Sequence, residues 1–174
     1  MSETGAEVVV VVGNPKPASR TRTAAEAVAD AVRSLAPDAR TTTTIDLADH
    51  APSLLRWGDP EVGLLKSTVL GARALVVASP TYKAAYTGLL KLFLDQFDKD
   101  ELRGLPTVAV MTGGSPPHAL AVEVHLRPVL VEIGASLPAR GLFLAGPEVD
   151  DPGPVVREWL VTAAEPLRRA LTSG

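Results

Sequence analysis

Apolar runs and helix-period patterns alternate along the chain, five of each. Residues 7–12, "EVVVVV", are continuous and β-branched rather than alternating, which predicts a strand buried on both faces. Residues 21–36 carry alanines and valines at helical spacing, with Thr23 and Glu26 placed as a capping box. "TTTTIDL" (41–47) predicts a second strand, and 60–71 a weakly patterned helix. "ARALVVAS" (72–79) predicts a third buried strand and 83–98 a strongly patterned helix. "PTVAVMTG" (106–113) predicts the fourth strand and 118–134 the next helix. "SLPARGLFL" (136–144) predicts a shorter fifth strand, and 153–172 a closing helix with Pro154 near its start, where proline is tolerated.

No linker rich in proline, glycine or serine divides this order, so one domain over residues 1–174 is expected. Repeated β-α alternation predicts an α/β fold, a parallel sheet of five strands covered by helices on both sides. In such sheets ligands sit at the carboxyl ends of the strands, around a topological switch point. The loops that follow strands one, three and four are also the unusual ones: "GNPKPASRT", "SPTYKAAYTG" and "TGGSPPH".

Composition narrows the chemistry. The chain is 46% hydrophobic and only 4% aromatic, so its core has to be built from Val, Leu and Ala. A net charge of -3 gives no reason to expect nucleic acid or an anionic membrane as partner. The absence of cysteine removes disulfides, thiol nucleophiles, iron–sulfur ligation and cysteine-bound zinc. "MSETGAE" is polar and acidic, the reverse of a secretory leader, and "VVVVV" is too short to cross a membrane. A cytoplasmic protein with no bound metal is the expectation.

The first loop is neither of the familiar nucleotide turns. Ser19 stands six residues after Gly13, where a P-loop needs its Gly-Lys pair, and one glycine is too few for G-x-G-x-x-G. Ser19, Arg20 and Thr21 open a helix, where free N–H groups and the positive dipole end favour an anion. Two hydroxyls and a guanidinium suit a phosphate monoester, although Ser19 as a plain helix cap with Arg20 and Arg22 in solvent is the alternative. In the second loop Pro80 restricts the backbone, and Tyr82 and Lys83 sit where a helix is expected to start. Lys83 can place positive charge near a developing anion, or it is a surface charge beside a packed Tyr82. Gly113 and Gly114 permit close approach of a flat ligand, or simply turn the chain. His118 is read as structural. A phosphate at loop one and a planar ring between loops two and three describe a mononucleotide along the sheet edge, and flavin mononucleotide (FMN) fits that layout.

"GNPKPASRT", "SPTYKAAYTGLLKLFLDQF" and "TGGSPPHALAVEVHLRPVL", in that order, resemble the NAD(P)H-dependent FMN reductase family of flavodoxin-like proteins. Within it the resemblance is nearest to reductases that supply reduced FMN to two-component alkanesulfonate monooxygenases, and it covers roughly residues 8–145. It implies a flavodoxin-like three-layer sandwich. It implies that Ser19, Arg20 and Thr21 bind the FMN phosphate, that Pro80, Thr81, Tyr82 and Lys83 lie beside the isoalloxazine, and that Thr112, Gly113, Gly114 and Ser115 lie on its other polar side. Hydride passes from NADH or NADPH to the flavin in that family, with no obligatory side-chain acid or base, so no catalytic residue is named. Two-component relatives carry an inserted residue in the helix after loop three, forming a π-bulge, often with Tyr or His. Here the length is kept, Val124 stands at the expected aromatic and His125 follows it, while Pro128 leaves the Val124 carbonyl without its helical partner. Val124 in place of the aromatic leaves both delivery of reduced FMN and a flavin that stays bound open, and a plain proline kink is the alternative to the bulge.

The stripe Tyr86, Leu89, Leu90, Phe93, Leu94 and Phe97 is wide enough for a second contact, in keeping with the homodimers or homotetramers of the family. Two other readings stand beside the reductase: a tightly FMN-bound reductase of quinones, azo dyes or metal oxyanions, and a flavodoxin-type electron carrier. A hydrolase lacks support, since no G-x-S-x-G exists and the three histidines pair with no evident nucleophile. Asp46 is read as a turn residue rather than a ribose-binding acid.

Overall fold

The valine run forms β1 (Glu7–Val12), with β2 (Thr41–Asp46) on one side and β3 (Ala74–Pro80) on the other. Val8, Val10 and Val12 enter a core beneath α1 (Arg20–Leu35) and α6 (Gly153–Thr172). Val9 and Val11 enter a second core on the opposite face, beneath the short α2 (Ala51–Leu54), α3 (Pro60–Leu70) and α4 (Gly88–Leu94). Successive strand side chains alternate between faces, so a strand covered on both sides favours apolar residues along its whole length. Burying each valine contributes on the order of 1.5–3 kcal/mol.

This computed structural model describes residues 7–172, and the polar N-terminal segment read above as unlike a secretory leader lies outside them. Beyond β3 come β4 (Thr107–Gly113) and β5 (Leu142–Ala145), completing a parallel five-stranded sheet in the order β2-β1-β3-β4-β5. This is the flavodoxin-like order, and its switch point lies between β1 and β3. The loops after those two strands diverge there and open a crevice. Among the described residues no helix is long and apolar enough to cross a membrane.

Four expectations are corrected by local chemistry. The capping box does not form: Ser19 is the N-cap of α1, its Oγ accepting the Arg22 N–H at 3.3 Å. Glu26 instead accepts from Arg22 Nε at 2.8 Å and from the Thr44 hydroxyl at 3.0 Å. The helix expected from residue 83 starts at Gly88, because Tyr82 and Ala85 close a tight turn and Thr87 Oγ1 caps the Leu90 N–H at 3.1 Å. Of the apolar stripe, Leu90, Phe93, Leu94 and Phe97 are buried within the chain, and Tyr86 and Leu89 are half-buried.

The helix expected over 118–134 is broken into a 3-10 turn (Pro116–His118), a π-helical turn (Val122–Leu126) and α5 (Arg127–Glu132). The Arg127 N–H reaches back to the Val122 carbonyl, five residues away, so the π-bulge is present and a plain proline kink is not. The same turn shortens the fifth strand. Arg127 donates to the Leu137 and Ala139 carbonyls at 2.7 and 3.0 Å, and Glu123 accepts the Gly141 N–H at 2.6 Å. Residues 137–141 are thereby held by the π turn and the first residue of α5, and regular pairing begins only at Leu142.

The weak pattern of α3 has a physical counterpart. It buries Val62 and Val69 while leaving Leu64 exposed, and polar contacts fix its start. Glu61 accepts from Ser53 and lies 2.6 Å from His50 Nδ1; those two contacts hold its carboxyl below the ordinary carboxylate range.

Candidate functional site

Gly13 ends β1 and begins the first loop. Its N–H donates to the Ala78 carbonyl at 2.8 Å, and its own carbonyl accepts from the Thr87 hydroxyl. A Cβ at this position would stand 2.4 Å from Leu90 Cβ, so glycine is required for α4 to pack on the loop. Asn14 follows, nearly fully buried, and uses both ends of its amide. Its Oδ1 accepts the Lys16 N–H at 3.0 Å, and its Nδ2 donates to Thr21 Oγ1 at 3.1 Å. Thr21 Oγ1 continues to Thr112 Oγ1 at 2.9 Å. One buried hydrogen-bond chain therefore ties the first loop and the start of α1 to the end of β4.

Asp46 braces the same loop from the end of β2. It is buried, caps the following 3-10 turn and accepts the Ala18 N–H at 3.1 Å. That bond holds Ala18 at a φ of 49°, a conformation L-residues rarely adopt. Asp46 is thus the turn residue expected and also a brace 28 residues away in sequence, which no local pattern announces. Arg22 lies 4.0 Å from it and pairs with Glu26, whose hydrogen bond and charge raise the guanidinium above its ordinary pKa.

A cleft of about 370 Å³ opens where these elements meet. Ser19, Arg20 and Thr21 line it on the α1 side, Pro80, Thr81 and Tyr82 on the β3 side, and Thr112, Gly113 and Gly114 on the β4 side. The three loops singled out in the sequence do converge. Lys83 and Ser115 stand outside the lining, both exposed, and His118 is exposed in its short 3-10 turn. Asn14, Lys16, Ala18 and Val149 also line the cleft and were not anticipated. The first three lie within the quoted loop and were legible there as its remaining polar and small residues. Val149 arrives from beyond β5 and had no signal.

The loops after β3 and β4 have their own geometry. The Thr81 N–H donates to the Thr112 carbonyl at 2.7 Å, extending the β3–β4 ladder past its end. The Thr81 hydroxyl is buried without a hydrogen-bond partner, a state that costs free energy unless a ligand or water satisfies it. A Cβ on Gly113 would meet Phe143 Cζ at 2.7 Å, whereas Gly114 has open space on that side. None of the residues lining the cleft is a carboxylate or an imidazole. The cleft's hydroxyls, backbone groups and cationic side chains are suited to positioning a ligand.

Residues 6–149 match the family described as NADPH-dependent FMN reductase. The FMN reductase (NADPH) of Escherichia coli strain K12 is 30% identical over 144 residues, spanning 83% of this chain and 75% of that protein. An oxidoreductase from Corynebacterium diphtheriae superposes with a TM-score of 0.80 at 30% identity, covering 98% of this chain and 100% of that one. The apo form of the NADH:FMN oxidoreductase EmoB gives 0.77 at 29% identity, over 97% and 89% of the two chains. The chain belongs to the NADPH-dependent FMN reductase family, and it is an oxidoreductase of flavodoxin-like fold that works with FMN and a reduced nicotinamide.

Proposed function

We propose that FMN lies in this cleft with its phosphate on the first turn of α1 and its ring between the loops after β3 and β4. We propose further that the protein passes the reduced flavin to a partner monooxygenase. The donor set supports the first part. The N–H groups of Arg20 and Thr21 belong to a first helical turn that has no intrahelical acceptor, and the exposed Arg20 guanidinium stands beside them. At the other end, the unpaired Thr81 hydroxyl is a polar atom for the edge of a planar ring.

When bound, the flavin accepts hydride from the reduced nicotinamide, chemistry that belongs to the two nucleotides. The chain's residues hold the geometry. Arg20 offsets the phosphate charge with charge-assisted hydrogen bonds. The Asn14–Thr21–Thr112 chain fixes the distance between the phosphate end and the ring end. Gly113 and Gly114 let the backbone approach a flat ring closely. Tyr82, about half exposed, walls the outer opening, where a second ring would have to enter and leave. Lys83 and Ser115 act, on this reading, only from outside the lining.

Delivery to a monooxygenase is supported by the π-helical turn Val122–Leu126, a feature of the two-component relatives that the sequence resembles. The same reading takes the protein as a cytoplasmic homodimer or homotetramer. Leu120, Val124 and Val131, exposed along the π turn and α5, support that association. The deciding experiment is anaerobic NADH and NADPH oxidation with increasing free FMN. Saturable turnover that releases free reduced FMN is expected. Turnover indifferent to added FMN, but raised by a quinone or azo dye, overturns delivery in favour of a tightly held flavin.

A further inference from the structure

Arg20, the exposed guanidinium at the phosphate end of the cleft, already has a partner. Its Nη1 lies 3.3 and 3.2 Å from the two carboxylate oxygens of Asp150. Asp150 comes from the opposite end of the chain, directly after the 3-10 turn Gly146–Val149 whose last residue lines the cleft. The contact therefore joins the start of α1 to the segment behind β5, across the mouth of the proposed phosphate site. Arg22, the other nearby guanidinium, is held by Glu26 and Asp46. Arg20 is the one whose partner is exposed and exchangeable.

We propose that Asp150 competes with the FMN phosphate for Arg20 and so weakens retention of the flavin. The inference rests on the phosphate reading above. A carboxylate and a phosphate monoester are both acceptors for the same guanidinium N–H groups. Where Arg20 turns to the phosphate, Asp150 loses its partner; where it bridges the two, like charges are brought together. Both consequences act against binding. The side chains of Arg20 and Asp150 are 69% and 60% exposed, so the ion pair tunes affinity rather than locking the site. A protein whose flavin has to depart gains from that setting, since the guanidinium has somewhere to return. Asp150 is a positioning residue in this scheme and touches no reacting atom.

The test titrates FMN and riboflavin, which lacks the phosphate, into the full chain and its variants, following flavin fluorescence at low and high salt. Asp150→Asn should tighten FMN by about two- to fivefold at low salt, the range expected for an exposed ion pair. The gain should shrink as salt screens the charges. Riboflavin binding should not move, KM for FMN should fall with kcat unchanged, and Asp150→Glu should restore the original affinity. On an Arg20→Ala background the same substitution should lose most of its effect. Unchanged or weaker FMN binding in Asp150→Asn overturns the proposal, as does an equal gain for riboflavin. The phosphate reading fails separately: Arg20→Ala would then leave the preference for FMN over riboflavin untouched.

Discussion

At the α1 end of the cleft, Asn14, Ser19, Thr21 and Asp46 are buried, and each directs its side-chain polar atoms to a neighbour. At the other end, Tyr82 in the lining and Lys83 and Ser115 just outside it are exposed, and none makes a side-chain hydrogen bond among the described residues. The first end is a set of mutually satisfied polar groups that accepts little displacement. The second joins the buried Pro80 and Thr112 to backbone turns whose outer side chains stand in solvent. On the proposed reading this division matches the ligand: a phosphate needs fixed donors, whereas a ring that meets a second nucleotide needs an accessible face.

The largest effect that tests the contrast is expected at Gly13. In Gly13→Ala the new methyl would stand 2.4 Å from Leu90 Cβ and 3.2 Å from Leu90 Cα, so the loop or α4 has to move. We expect a loss of about 3 kcal/mol in urea unfolding, the upper part of the range for overpacking a well-filled site. FMN affinity should fall with it. Unfolding at the original urea midpoint would show that the first loop is not seated on α4.

Thr21→Val comes next. It keeps the shape of the side chain and removes the oxygen between Asn14 and Thr112. Asn14 Nδ2 would be left as a buried donor without its acceptor, a loss of about 1–2 kcal/mol in the same assay. KM for FMN should rise while kcat changes little, because the substitution disturbs placement and no proton-transferring group is removed. A large fall in kcat with KM unchanged would place Thr21 in the chemistry instead.

Most of the scaffold was legible for one reason. Strands covered on both faces read as continuous, mostly apolar runs, and β1, β3 and β4 announce themselves that way, while the edge strand β2 does so by its β-branched threonines. The loops were legible because they depart from such runs with prolines, glycines and hydroxyls. What escaped was set by partners distant in sequence. Asp46 reaches Ala18 across 28 residues, and Asp150 reaches Arg20 across 130. Strand five was overextended because its first residues are bound by Glu123 and Arg127, which lie in another element. The start of α4 was misplaced for a different reason. "KAAY" has excellent helix propensity, and the turn at residues 82–85 overrides it.

That override supplies the smallest predicted effect. The Tyr82 N–H donates to the Ala85 carbonyl at 2.8 Å and the Ala85 N–H to the Tyr82 carbonyl at 3.1 Å, while Lys83 and Ala84 between them take φ values of 51° and 67°. Positive φ at both central residues is the signature of a type I′ turn, which favours Asn-Gly. Each residue with a Cβ in that conformation costs roughly 1–2 kcal/mol. Ala84→Gly removes one such cost and adds backbone entropy to the unfolded chain worth about 0.5–1 kcal/mol, so a net stabilisation of about 0.5–1 kcal/mol is expected by urea unfolding. Ala84 is exposed, so little packing is lost. A destabilised variant would mean that the turn is relaxed as it stands. If the prediction holds, exchanging one methyl group has opposite signs in the loops after β1 and β3. Adding it at Gly13 is costly because a neighbour occupies the space; removing it at Ala84 is favourable because only the backbone conformation opposes it. On the proposed reading, strain of that kind at Lys83 and Ala84 is kept because the ring end of the site needs that shape.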